Sequence, residues 1–212
     1  MKYTLLSFVI IVCITSNAHA QFGIEVGGSY NIQSGSFTAP CGCTMAKGSG
    51  FGYFAGAQLN LLSFGGFSIG VEPGYEVQQF QSEEVTPDSL VPITNGDHEA
   101  VTMPYITIAP YARYTFPVGL YLQVSPGFKY LLTPSFEHSG SGADDANISP
   151  SAAVDVRSQR YDGKVAIGYN IHLGSLSISP TISAAFPFTN VSEIQANGWN
   201  VTTIYGSVVI GL

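Results

Sequence analysis

Strict two-residue alternation constrains this chain more than any other feature. In "FGIEVGGSYN", residues 22–31, one face carries Phe22, Ile24, Val26, Gly28 and Tyr30, and the other Gly23, Glu25, Gly27, Ser29 and Asn31. A period of two is the period of a strand, here with one apolar and one polar face. Two kinds of fold accept such a strand. A soluble sheet turns the apolar face to a core, whereas a membrane barrel turns it to lipid and the polar face to a lumen. The choice between them rests on the remaining chain.

Seven further segments alternate. "FGYFAGAQLNLL" (51–62) sets Phe51, Tyr53, Ala55, Ala57, Leu59 and Leu61 against Gly52, Gly56, Gln58 and Asn60. "FSIGVEPGYEVQ" (67–78) sets Phe67, Ile69, Val71, Tyr75 and Val77 against Ser68, Glu72, Glu76 and Gln78. "YITIAPYARYTF" (105–116) and "LYLQVSPGFKYLL" (120–132) place Arg113 and Lys129 on their polar faces. "YDGKVAIGYNIH" (161–172) does the same with Asp162 and Lys164, and "LSISPTISAAF" (176–186) with a row of Ser and Thr. "VTTIYGSVVIGL" (201–212) closes the set. No mature segment is long and apolar enough for a transmembrane helix, and a tilted strand needs only about 9–11 residues to cross.

The connections decide the question. They run long, short, long, short, long, short, medium, with "SFGG", "PVG" and "LGS" as the short ones and residues 79–100 and 133–159 among the long ones. Tight turns at one end and long loops at the other belong to an outer-membrane barrel, and a soluble barrel has no physical reason for them. The apolar face of residues 22–31 therefore points to lipid. Aromatic residues near both strand ends (Phe22 and Tyr30, Phe67 and Tyr75, Tyr161 and Tyr169) suit two interfacial girdles. Charged residues make up only 10% of the chain, against roughly 25% in a typical soluble domain. The expected fold is all-β, an eight-stranded antiparallel up-and-down transmembrane β-barrel whose first and last strands pair to leave no edge in lipid.

Residues 1–20 read as a cleaved export signal: Lys2 as the basic region, "LLSFVIIVCI" as the short apolar region and "AHA" as the cleavage site. The barrel domain is then 21–212, and Cys13 leaves with the signal. Losing Lys2 takes the formal net charge from −7 to −8. With no basic patch, nucleic acid is not an expected partner. Cys41 and Cys43 remain, in a compartment that permits disulfides. They can close a small loop ring, stay reduced or bind a soft metal. A metal site needs more ligands than one Cys-x-Cys, and no neighbouring His supplies them.

A signal peptide, eight alternating strands and a membrane-type last strand resemble the small outer-membrane β-barrel proteins of Gram-negative bacteria, nearest to the PorT-like outer membrane protein β-barrel family. The resemblance covers nearly the whole mature chain and implies a porin-like fold, outer-membrane location, lipid contact and insertion by the barrel-insertion machinery. Such barrels commonly end in an aromatic residue, whereas this chain ends in Leu212.

Inward positions carry Glu25, Glu72, Glu76 and Asp162 against Arg113, Lys129 and Lys164. An eight-stranded barrel has an interior that side chains can fill, and charges there must be paired or wetted. The expectation is a charged plug, the alternative a narrow polar channel for ions or small solutes. Catalysis is not expected. His98 beside Asp97 and Glu99, and His138 beside Glu137 and Ser139, lie in or next to loops without a nucleophile elbow. A lipid-modifying enzyme would need a Ser-His-acid cluster at the rim. No cofactor is expected. Most acids are assigned to loops: Glu83, Glu84, Asp88, Asp97, Glu99, Glu137, Asp144, Asp145, Asp155 and Glu193. "GADDAN" lacks the ligand spacing and terminal Glu of an EF-hand. These loops suit a structural or surface-interaction role, toward an extracellular ligand or a divalent cation.

Overall fold

A computed structural model of the chain describes residues 22–38, 44–84, 98–139, 156–192 and 198–211. Residues 1–20, expected as an export signal, and Cys41 and Cys43 lie outside the described residues. Eleven strand segments occur: β1 (Phe22–Ser34), β2 (Ser36–Thr38), β3 (Thr44–Phe64), β4 (Phe67–Glu84), β5 (His98–Thr115), β6 (Leu120–Leu131), β7 (Ser135–Ser139), β8 (Gln159–Tyr169), β9 (Ile171–Leu173), β10 (Leu176–Pro187) and β11 (Asn200–Gly211). They make eight wall strands. β2 pairs with the start of β3 just beyond β1, β7 follows β6 along β5, and β9 follows β8 along β10. Every pairing is antiparallel, and the wall closes because β1 pairs with both β3 and β11. Closure satisfies the backbone groups that an open edge would leave bare in lipid.

Three tight turns gather at one end. Phe64 faces Phe67 across Gly65-Gly66, both with positive φ, as a type I′ hairpin turn demands. Gly119 N–H donates to Phe116 O, and Gly119 itself has φ 88°. Leu173 faces Leu176 across Gly174-Ser175, with Gly174 at φ 67°.

The alternation has the inverted sense. Ile24, Val26, Ile69, Ile106, Ile108, Leu122, Val124, Val165, Ile167, Ile204 and Val208 are exposed on the outer wall, and Glu25, Gln58, Glu72, Gln123, Thr181, Ser183 and Ser207 are buried inside. Val77 falls on the outward register yet is buried. Aromatic rings collect at both ends of this apolar belt: Phe64, Phe67, Tyr114 and Phe116 in contact near the tight turns, and Tyr30 on Phe51 and Phe128 on Tyr161 at the other end. This is an outer-membrane-type β-barrel.

The strands run farther than alternation alone indicates. β3, β4 and β5 continue through stretches expected as loop, to Thr44, Glu84 and His98, and β7 occupies part of 133–159. Past the belt the pattern turns over. In β4 the inward face reads Glu72, Glu76 and Gln78 and then Phe80, while the outward face passes from Tyr75 to exposed Gln79, Gln81 and Glu83. The double polar step Gln78-Gln79 marks the change. In β11 the step Thr202-Thr203 separates outward Ile204 from inward Val201, and in β5 the apolar step Tyr105-Ile106 does the same. Above these steps Phe37, Met45, Phe80, Val101, Met103, Leu131, Phe136, Val191 and Trp199 pack inside the barrel as an apolar core. The barrel thus carries, at its long-loop end, a short section organised like a soluble protein.

Candidate functional site

The lumen is the candidate site, and it is layered. Nearest the tight turns a polar vestibule of about 240 Å³ opens. Its inner wall holds Arg113, which donates from Nη2 to Gln58 Oε1 at 2.7 Å and from Nε to Gln123 Oε1 at 2.9 Å. The guanidinium lies 4.3 Å from the Tyr121 ring centre and 5.2 Å from that of Tyr111. Both tyrosines stand over cross-strand glycines, Tyr111 opposite Gly70 and Tyr121 opposite Gly168. A Cβ on either glycine would meet the ring within 2.5 Å. Tyr121 also hydrogen-bonds Thr181.

The two glutamines turn their other ends inward. Gln58 Nε2 and Gln123 Nε2 each donate to Glu72 Oε1 at 2.7 Å, and Lys164 Nζ meets Glu72 Oε2 at 2.6 Å. Arg113 is thus linked to a carboxylate only through amides, where direct bridging of two carboxylates is what a guanidinium's fork geometry suggests. The reason is register. Glu72 pairs with Ala109, four residues from Arg113 on β5, and the intervening level is occupied by the amides.

A second group centres on Lys129. Its ammonium lies 2.8 Å from Glu76 Oε2 and 2.9 Å from Asp162 Oδ2, all three nearly inaccessible. Gly127 faces Asp162 across β6–β8, and a Cβ there would sit 2.1 Å from Oδ1, so glycine makes room for the carboxylate. Tyr205 Oη donates to Glu76 Oε1 at 2.8 Å and accepts from Lys129 at 3.1 Å. Glu25 accepts from Ser207 Oγ at 2.8 Å. A cavity of about 60 Å³ lies between the groups, lined by Glu25, Glu72, Glu76, Lys129, Asp162 and Lys164, with space for about two waters.

Above it Arg160 Nη1 donates to Tyr105 Oη at 2.9 Å and Gln78 Oε1 at 3.3 Å, and Gln78 Nε2 donates to Glu76 Oε1 at 2.8 Å. Thr203 bonds Asn31, and Ser82 bonds Gln33. The apolar core then fills the bore, with Trp199 stacked on Phe37 at 4.7 Å.

The structure places Glu25, Glu72, Glu76, Arg113, Lys129, Asp162 and Lys164 inside the wall. Their contacts form two groups with Glu25 bonded apart, rather than one continuous network. Sequence reasoning missed Arg160, one residue ahead of the strand it recognised, although Arg160 shares the face of Asp162 and Lys164. It also missed the amides of Gln58, Gln78 and Gln123 and the phenols of Tyr105 and Tyr205, because neutral groups carry no charge signal.

Several acids assigned to loops stand in strands. Glu83 is exposed on β4, Glu84 ends that strand, Glu137 is exposed on β7, and Glu99 is buried on the inward face of β5. Asp88, Asp97, Asp144, Asp145, Asp155 and Glu193 lie outside the described residues. In backbone register Glu99 faces His138 and His98 faces Ser139, so the two histidines belong to paired strands and not to loops. Among the described residues no group of three His, Cys, Asp or Glu is placed to hold a metal ion.

No protein-family model and no curated protein matches the chain. Solved structures do. Neisserial surface protein A is matched at TM-score 0.46 and 11% identity, over 90% of this chain and 96% of that one. Ail, the attachment invasion locus protein of Yersinia pestis, solved with the heparin analogue sucrose octasulfate, is matched at TM-score 0.39 and 9% identity, over 91% and 99%. Outer membrane protein OprG of Pseudomonas aeruginosa is matched at TM-score 0.38 and 10% identity, over 91% and 95%.

Proposed function

We propose that the chain is an integral barrel of the Gram-negative outer membrane, of the PorT-like kind, closed to solutes along its axis and working through its long-loop end. The single observation that carries this reading is the double obstruction of the lumen. Ion-paired side chains fill the bore within the belt, and a packed apolar core fills it above. A conducting pore needs a continuous wet path, and the apolar core opposes one by excluding water. The strands that project beyond the belt hold the long loops on a rigid wall, with polar side chains outward, which suits a surface for contact with an extracellular ligand or a divalent cation.

Planar-bilayer recording on refolded protein tests the closure. A flat baseline is expected, and steady unitary conductance in the wild type would replace this reading with a narrow channel. Protease treatment of intact cells tests the orientation. Cuts are expected in the long connections between β4 and β5 and between β7 and β8, and cleavage at the Gly65-Gly66 turn would reverse the topology.

A further inference from the structure

We propose that the vestibule at the tight-turn end is a binding site for a small oxyanion of the phosphate type. The chain is acidic overall, at −7, yet among the described residues no Asp or Glu lines this cavity. Among the described residues its one permanent charge is Arg113, and its other polar groups include Asn60, Asn170, His172, Ser177 and Ser179. The carboxylates of the next layer are already engaged, Glu25 by Ser207 and Glu72 by Lys164 and two glutamines.

Arg113 differs from the two lumen lysines. Lys129 and Lys164 each touch a carboxylate, but the acceptors held by Arg113 in its layer are neutral amide oxygens. Its guanidinium is fixed by two aromatic faces and by Gln58 and Gln123, so little side-chain freedom remains to be lost on binding. A positive group held still at the wall of a polar, partly enclosed cavity favours an anion, through charge-assisted hydrogen bonds. Glycine keeps the chamber open: Gly23 faces Gly211 on its rim, and a Cβ on Gly211 would meet Ser177 Oγ at 2.4 Å.

The test uses the refolded full barrel in a nonionic maltoside detergent, titrated with inorganic phosphate at neutral pH. The readout is the side-chain Nε–H resonance of Arg113. A saturable shift is expected. Ser177→Glu sets an acid in the cavity without touching the contacts of Arg113, and should abolish the shift. Arg113→Lys keeps charge but loses the fork; phosphate affinity, read by calorimetry, should fall about tenfold or more. No saturable shift, or an unchanged response in Ser177→Glu, overturns the proposal. A shift seen only in nanodiscs containing phosphatidic acid, and not with free phosphate, overturns a soluble ligand in favour of a lipid headgroup.

Discussion

Two stretches of one barrel interior solve the same packing problem in opposite ways. Within the lipid belt the bore is filled by Lys129, Glu76, Asp162, Lys164, Glu72 and their amide and phenol partners. Just above it the same strands fill the bore with Phe80, Met103, Val101 and Trp199. The outer solvent explains the difference. Where lipid takes the apolar face, alternation leaves only polar residues to point inward, and they must satisfy one another because unpaired burial is costly. Where water takes the outer face, apolar residues return to the inside and the ordinary hydrophobic effect applies. The steps Gln78-Gln79, Thr202-Thr203 and Tyr105-Ile106 mark the upper edge of the belt.

Substitutions can break this contrast in graded ways. The largest effect is expected from Lys129→Met, which strands Glu76 and Asp162 together. Removing one partner of a buried ion pair costs about 3 to 5 kcal/mol, and urea unfolding in micelles should show that loss for the whole barrel. Phe80→Ala in the apolar section should cost about 3 kcal/mol, the low end for a buried aromatic truncated to alanine. Here the loss should be local: protease sensitivity at the long-loop end should rise before the belt unfolds. Simultaneous melting of both sections in each variant would show that the two are one cooperative unit.

The outer wall offers a sharper test because one strand crosses both solvents. On β4, Val71→Arg lies in the belt and should destabilise by about 2 to 4 kcal/mol. Gln81→Arg lies on the same outward face beyond the inversion step and should stay within about 0.5 kcal/mol. Equal losses in a refolding titration would move the membrane boundary past Gln81. Among the substitutions expected to destabilise, the smallest effect is that of Gln123→Ala, which removes one amide relay between Arg113 and Glu72. A loss of about 1 to 2 kcal/mol is expected, read from the same unfolding curves.

The fold was legible where one pattern held. Alternation from Phe22 to Asn31 and its seven counterparts, with short connections rich in glycine, specifies strand number, facing and the closed wall. It failed where the phase changed. Phe80, Val101 and Trp199 look like loop residues to a reader who expects apolar side chains to face outward, because two solvents act on one strand. Within the lumen, charge marked Lys129 and Glu72, but which cation meets which acid depends on cross-strand register. Arg113 illustrates this: its fork finds Gln123 on the adjacent strand β6 and Gln58 on β3, two strands away, a pairing that no local spacing encodes.

The pairing of Gly23 with Gly211 makes the strand order circular. β1 and β11 are as much neighbours as any hairpin pair, and their outer ends share a rim with the three tight turns. In the folded wall no strand is first. A two-residue bridge between those ends, with new termini opened at Gly65-Gly66 or Gly174-Ser175, would describe the same barrel by a different chain. What ties the existing order to the molecule is then assembly. The last strand must arrive before the first has a second partner, so the whole wall waits on its most distant contact.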